Sequence, residues 1–134
     1  MRKQYYFRAS ARGLLAWDVD RLVALTQQFP RVEVPLARIR ELDAPFASEY
    51  DDVLTWRSVA EHANLIQAAD LNFPIILSSD GSVMDGMHRV AKAVLLGRTT
   101  IEAVQFTDDP APDYIDVHPK ELPYDTAAEG RTNA

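Results

Sequence analysis

Gly86, Met87, His88 and Arg89 are the residues in this chain whose types and spacing could do chemistry. They come after the extended run Val83, Met84, Asp85 and precede Val90, Ala91, Ala93, Val94, Leu95 and Leu96, which cover a broad helical face. His88 and Arg89 therefore fall on the first turn of a helix. A helix start presents amide N–H groups that have no partner within the helix, together with the positive end of its dipole. An imidazole and a guanidinium added there suit phosphate or carboxylate oxygens, so the expected chemistry is capture of an anion. A plainer reading uses the same residues: Arg89 pairs with Asp85 four positions earlier, and His88 hydrogen-bonds a neighbouring loop.

The elements that must hold this turn are also legible. Ile75, Ile76 and Leu77 form a short β-branched run, Ser79, Asp80 and Gly81 supply a turn, and Val83 and Met84 resume the extended pattern. Residues 75–85 thus predict a β-hairpin, broken by Gly86. The next helix is about ten residues long and stops at Gly97, which fits the first position beyond a helix end. Residues 100–106 then read as a strand.

Together these elements resemble the core of the ParB/sulfiredoxin superfamily, over residues 73–106. In sulfiredoxins the equivalent string is Gly-Cys-His-Arg and in ParB partition proteins Gly-Glu-Arg-Arg. Both open a helix that binds nucleotide phosphates. A weaker likeness extends upstream through the strand at residues 32–36 and a helix around residues 56–69. The resemblance implies an α/β (α+β) fold, a small mixed sheet with packed helices, in a stand-alone small protein with an Asp-Gly-Met-His-Arg core. It implies nucleotide or other phosphate binding at Gly86, Met87, His88 and Arg89, with Mg²⁺ arriving on the nucleotide. Because the helix before the hairpin contributes to the pocket in that superfamily, Thr55, Arg57 and Ser58 join the site by position, although capping by Ser58 and exposure of Arg57 are the slightly preferred explanation.

Departures from the relatives limit what carries over. The sulfiredoxin nucleophile is replaced by Met87, and the chain contains no cysteine, so thiol chemistry is excluded. ParB proteins continue into a helix-turn-helix reader, whereas residues 108–113 here are rich in Asp and Pro and lead into no second long amphipathic pattern. The ADP-dependent free serine kinase of archaea shows that the same cradle supports phosphoryl transfer when a carboxylate is near. By that analogy Glu41, Asp43 and Asp85 are candidates for the base, and a small-molecule kinase or nucleotide hydrolase is the enzymatic alternative. A non-catalytic protein-interaction module that kept only the fold is the other.

Composition narrows the classes further. With 134 residues the chain suits one domain able to bury a core without staples. Its 14 basic and 20 acidic residues leave a net charge of −6, which repels duplex DNA. Eight basic residues nevertheless crowd the first forty positions, and solvated arginines are preferred over a nucleic-acid face. No apolar run is long enough for a signal peptide or membrane span, so the expected setting is cytoplasmic. His62, His88 and His118 lack metal-ligand spacing, and no metal site is expected.

The remaining segments predict supporting structure. Asp18 or Asp20 caps a helix through Leu22, Val23 and Leu25 that ends before Pro30; Val32 and Val34 alternate with Glu33 in a strand that Pro35 places at an edge. Residues 36–54 read mostly as loop, with a helical turn near residues 37–40. Ser58 and Glu61 have capping-box spacing at the head of a helix whose inward side carries Val59, His62, Ala63 and Ile66. Residues 107–125 are too rich in proline for a helix yet too apolar for a free linker, and predict an ordered arm at the end of a single domain spanning residues 1–125. A homo-oligomer through this arm is consistent with the pattern. Residues 126–134 read as a frayed tail.

Overall fold

In the computed structural model, residues 3–45 and 54–124 are described. Their elements in chain order are β1 (Tyr5–Arg8), β2 (Leu15–Asp18), α1 (Val19–Leu25), β3 (Val32–Pro35), α2 (Trp56–Ala68), β4 (Ile75–Leu77), β5 (Val83–Asp85), α3 (Met87–Leu95), β6 (Thr100–Gln105) and β7 (Tyr114–Ile115). Short 3₁₀ turns lie at Leu36–Arg38, Arg40–Asp43 and Pro119–Glu121. The fold is mixed α+β, with two sheets. Contacts divide the chain into two compact units, Met1–Gln27 with Pro110–Ala134, and Gln28–Asp109. The expected tail at 126–134 and residues 46–53 of the expected loop lie outside the described residues.

The first unit is built on an antiparallel sheet in the order β1-β2-β7. Neither β1 nor β2 was evident in the sequence: β1 is half-buried at every position, and Leu15, Ala16 and Trp17 of β2 are all buried, so neither leaves a polar alternation to read. Trp17 lies 2 % exposed, and its indole N–H donates to the Pro110 carbonyl at 2.8 Å. The proline-rich arm supplies only two paired residues, at the sheet's edge, where missing amide donors cost little. Asp18 caps α1, its carboxylate accepting from the Asp20 amide, while Lys3 bridges Asp18 and Asp20 at 3.1 and 3.0 Å. Several of the early basic residues are neutralised locally: Lys3 in this way, and Arg21 by Asp113.

The second unit contains the predicted hairpin and helix. Its sheet has the order β3-β6-β4-β5, with β6 antiparallel to β3 and parallel to β4. β3, which ends on Pro35, occupies one edge as expected. Ile75, Leu77, Val83, Val90, Ala93, Ile101 and Ala103 form the core between sheet and α3. The β4–β5 register shifts between Ile76 and Leu77, so that Leu77 faces Val83 but Ile76 faces Asp85. Such a bulge bends the strand and re-aims the residues beside it, here Asp85 and Gly86.

The helix α2 starts earlier than the Ser58–Glu61 spacing predicts. Thr55 is its cap: the Ser58 amide donates to Thr55 Oγ1 at 3.1 Å, and the Thr55 amide donates to Ser58 Oγ at 2.9 Å. Thr55 and Ser58 have the same three-residue separation as Ser58 and Glu61, and the upstream pair is the one that closes. The inward side also differs from expectation. Only Ser58, His62 and Ile66 are half-buried along α2, a ridge at intervals of four; Val59 and Ala63 are exposed.

Candidate functional site

Gly86 sets the geometry of the turn. It adopts φ 113° and ψ 20°, a region that L side chains avoid. A Cβ here would stand 2.6 Å from Ile75 Cγ2 and 2.9 Å from Arg89 Nη2. Glycine is therefore demanded by the packing of the turn on β4 and Arg89, before any ligand is considered. The far end of α3 closes as predicted: Gly97 takes φ 75°, its amide donates to the Val94 carbonyl, and the Arg98 amide donates to the Ala93 carbonyl.

Between these ends α3 differs from the other two α-helices among the described residues. Asp18 caps α1 and Thr55 caps α2, but Gly86 offers α3 no side-chain acceptor. The first intrahelical bond of α3 runs from the Val90 amide to the Gly86 carbonyl at 3.0 Å. The amides of Met87, His88 and Arg89 precede it and are the orphan donors of the helix start.

The two cationic candidates are already engaged. Arg89 Nη2 donates to Asp85 Oδ2 at 3.0 Å and to the Pro74 carbonyl at 3.3 Å, with both side chains of the ion pair about one-fifth exposed. Arg89 Nε is buried without a partner. His88 reaches across to α2, where its Nε2 lies 2.9 Å from His62 Nδ1. Burial first, then the neighbouring His62 and Arg89, hold His88 below the ordinary histidine value, with Asp85 opposing them. The plain alternative for Arg89 is thus present in the structure, and His88 bonds a helix rather than a loop.

α2 and α3 run side by side in the same sense. His88 meets His62, and one turn further on Lys92 Nζ donates to the Gln67 and Ala69 carbonyls at 2.8 and 2.7 Å. Lys92 thereby closes the C-terminal end of α2. Both N-termini point the same way, and α2 extends about 9 Å beyond His62, six residues at 1.5 Å each. Thr55 and Ser58 sit on that extension with their polar groups spent on the cap; Arg57 is exposed.

The carboxylate candidates separate. Glu41 Oε2 accepts from the Val83 amide at 2.7 Å on the outer edge of β5, while its Oε1 is buried without a partner. Asp85 is committed to Arg89, and Asp43 is exposed at the end of its 3₁₀ turn. A shallow groove of about 720 Å³ lies elsewhere, lined by Arg31, Glu33, Asn72, Arg98 and Glu102 at the opposite end of α3. Sequence reasoning did not single out those residues. No single motif marks them, since Arg31 and Glu33 at β3, Asn72 after α2, Arg98 after α3 and Glu102 on β6 are brought together only by the fold.

No family model, curated protein or solved structure matches this chain. The site must be read from its own residues.

Proposed function

We propose that the chain binds a nucleotide or another phosphorylated small molecule at the start of α3. One observation carries this reading: α3 alone among the three described α-helices begins without a side-chain cap, on a glycine, and beside an arginine. A phosphate seated there accepts from the amides of Met87, His88 and Arg89 and benefits from the dipole. The parallel α2 adds its own positive end on the same side. Arg89 contributes only if the phosphate draws it partly from Asp85, so the resident ion pair tunes the affinity downward. The resemblance of residues 73–106 to the ParB/sulfiredoxin core supports the same assignment.

If the bound phosphate is transferred, Glu41 is the favoured base. What supports it is the buried, unpartnered Oε1 on a carboxylate whose other oxygen is fixed by the Val83 amide. A second reading, a protein-interaction module, draws support from Leu54, Trp56, Phe73, Leu95 and Leu96, which are 57–89 % exposed.

A thermal-shift panel of ATP, ADP, CTP, GTP, pyrophosphate and phosphosugars, each with and without Mg²⁺, tests the binding reading. A ligand at about 100 times its dissociation constant adds about 2.7 kcal/mol of stability. Arg89→Ala should weaken binding more than Lys92→Ala, whose ammonium is spent on α2. A panel that stabilises nothing contradicts phosphate binding and leaves the interaction module standing.

A further inference from the structure

His62 and His88 form a polar contact across two helices that the binding reading does not use. Their nitrogens are 2.9 Å apart and their ring centroids 5.2 Å. That centroid distance is what the N···N separation and the two ring radii add up to, so both nitrogens lie close to the line between the rings. The lone pair of one imidazole therefore points at the N–H of the other. This is the geometry of a shared proton; a metal held by both rings would need them angled toward a third point.

The contact matters because, among the described residues, few other polar contacts hold α2. None of its thirteen residues is buried, and two of the three residues on its half-buried ridge, Ser58 and His62, are polar. Trp56 is 89 % exposed. Lys92 clasps the C-terminal end through the Gln67 and Ala69 carbonyls, and among the described residues His62 ties the N-terminal half to α3. A helix with so little buried apolar area belongs to the low end of local stability.

We propose that the His62–His88 contact is a proton-operated latch that fastens the N-terminal half of α2 to the start of α3. With one proton missing between the rings the contact closes. With both rings fully protonated, two N–H groups meet head-on and two like charges face each other, so the latch opens and α2 pivots on the end that Lys92 holds. Among the described residues, the charged and titratable groups acting on His88 are His62 on α2, Arg89 on α3 and Asp85 on β5; Lys92 follows one turn along α3, and Glu61 and Arg57 flank His62 on its own helix. Arg89 opposes full protonation and Asp85 favours it. Opening therefore belongs to pH values below 6.5, the ordinary histidine value.

Amide hydrogen exchange of the intact chain, expressed as protection factors, tests this. Between pH 7.5 and pH 5.0 the amides of residues 59–66 should lose at least roughly ten-fold in protection while those of β4 and β6 keep theirs. In His62→Gln and His88→Gln, which cannot take up the second proton, the loss should shrink to less than about two-fold. Unchanged protection of residues 59–66 in the wild type overturns the proposal, as does an equal loss in either variant or a parallel loss in the strands. Should the variants fail to fold, imidazole nitrogen shifts of the wild type decide. A coupled titration of His62 and His88 supports the latch, and two independent titrations at the ordinary value refute it.

Discussion

Replacing Gly86 by alanine is the perturbation whose consequence the structure specifies most fully. Two penalties add. A non-glycine residue in the left-handed region costs about 1–2 kcal/mol, and the new methyl group would stand 2.6 Å from Ile75 Cγ2, a side chain with no exposed surface of its own. Crowding of that kind costs about 1–3 kcal/mol, so the total is about 2–5 kcal/mol. Gly97→Ala is the internal reference. It also sits at positive φ, but nothing lies within 4 Å of its Cβ position, so only the first penalty applies. Urea unfolding at 25 °C, with stability taken from midpoints at fixed slope, measures both. Ile75→Ala separates strain from clash. It removes Cγ2, and although it costs about 2–5 kcal/mol alone, the double variant should be more stable than the sum of the singles by about 1–3 kcal/mol. Equal costs for Gly86→Ala and Gly97→Ala, together with strict additivity to Ile75→Ala, would refute the claim that close packing on β4 selects this glycine.

The same contacts set further expectations. Asp85→Asn removes the partner of Arg89: stability should fall by about 1–3 kcal/mol, whereas sulfate affinity, measured by calorimetry, should rise because the guanidinium is released. A drop in both would place Asp85 in the binding contact itself. Thr55→Ala opens the capping box of α2 and should cost about 0.5–2 kcal/mol, with pyrophosphate affinity unchanged; loss of binding at equal stability would move Thr55 into the site. For pH, His88 is held below its unfolded value, so the unfolded chain takes up the proton first on acidification. The stability due to His88 is complete above pH 6.5 and declines as the pH falls below it. The difference in urea midpoint between wild type and His88→Gln from pH 8 to pH 5 isolates this contribution, and a difference that grows in favour of the wild type at acid pH contradicts it.

Much of the second unit was legible because its signals are local. The β-branched run at residues 75–77, the Ser79-Asp80-Gly81 turn and the apolar face of α3 each specify their own conformation, and Gly86 and Gly97 mark backbone that only glycine adopts easily. Pro35 correctly implied an edge strand. In the first unit α1 and its Asp18 cap were legible, but the strands were opaque for the opposite reason: β2 is a run buried at three of its four positions, and β7 is two residues long, so neither shows a period. The capping of α2 was misplaced because Thr55/Ser58 and Ser58/Glu61 have the same spacing, and only the fold decides between them. The backbone of the turn was read in outline, but not how its side chains are engaged. An Asp85–Arg89 pair at four residues' separation can be anticipated, whereas the contact between His62 and His88, 26 residues apart, depends on two helices lying parallel. That contact engages the His88 ring, expected to face an anion, with a second helix.

The central claim is that the free amides at the start of α3 receive a phosphate. The most direct measurement is a titration of the isotopically labelled chain with pyrophosphate, monitored through backbone amide shifts. The account predicts saturable shifts that are largest for Met87, His88 and Arg89 and small for Arg31, Asn72 and Arg98 around the groove at the other end of the helix. Shifts centred on that groove, or none at millimolar pyrophosphate, would contradict it.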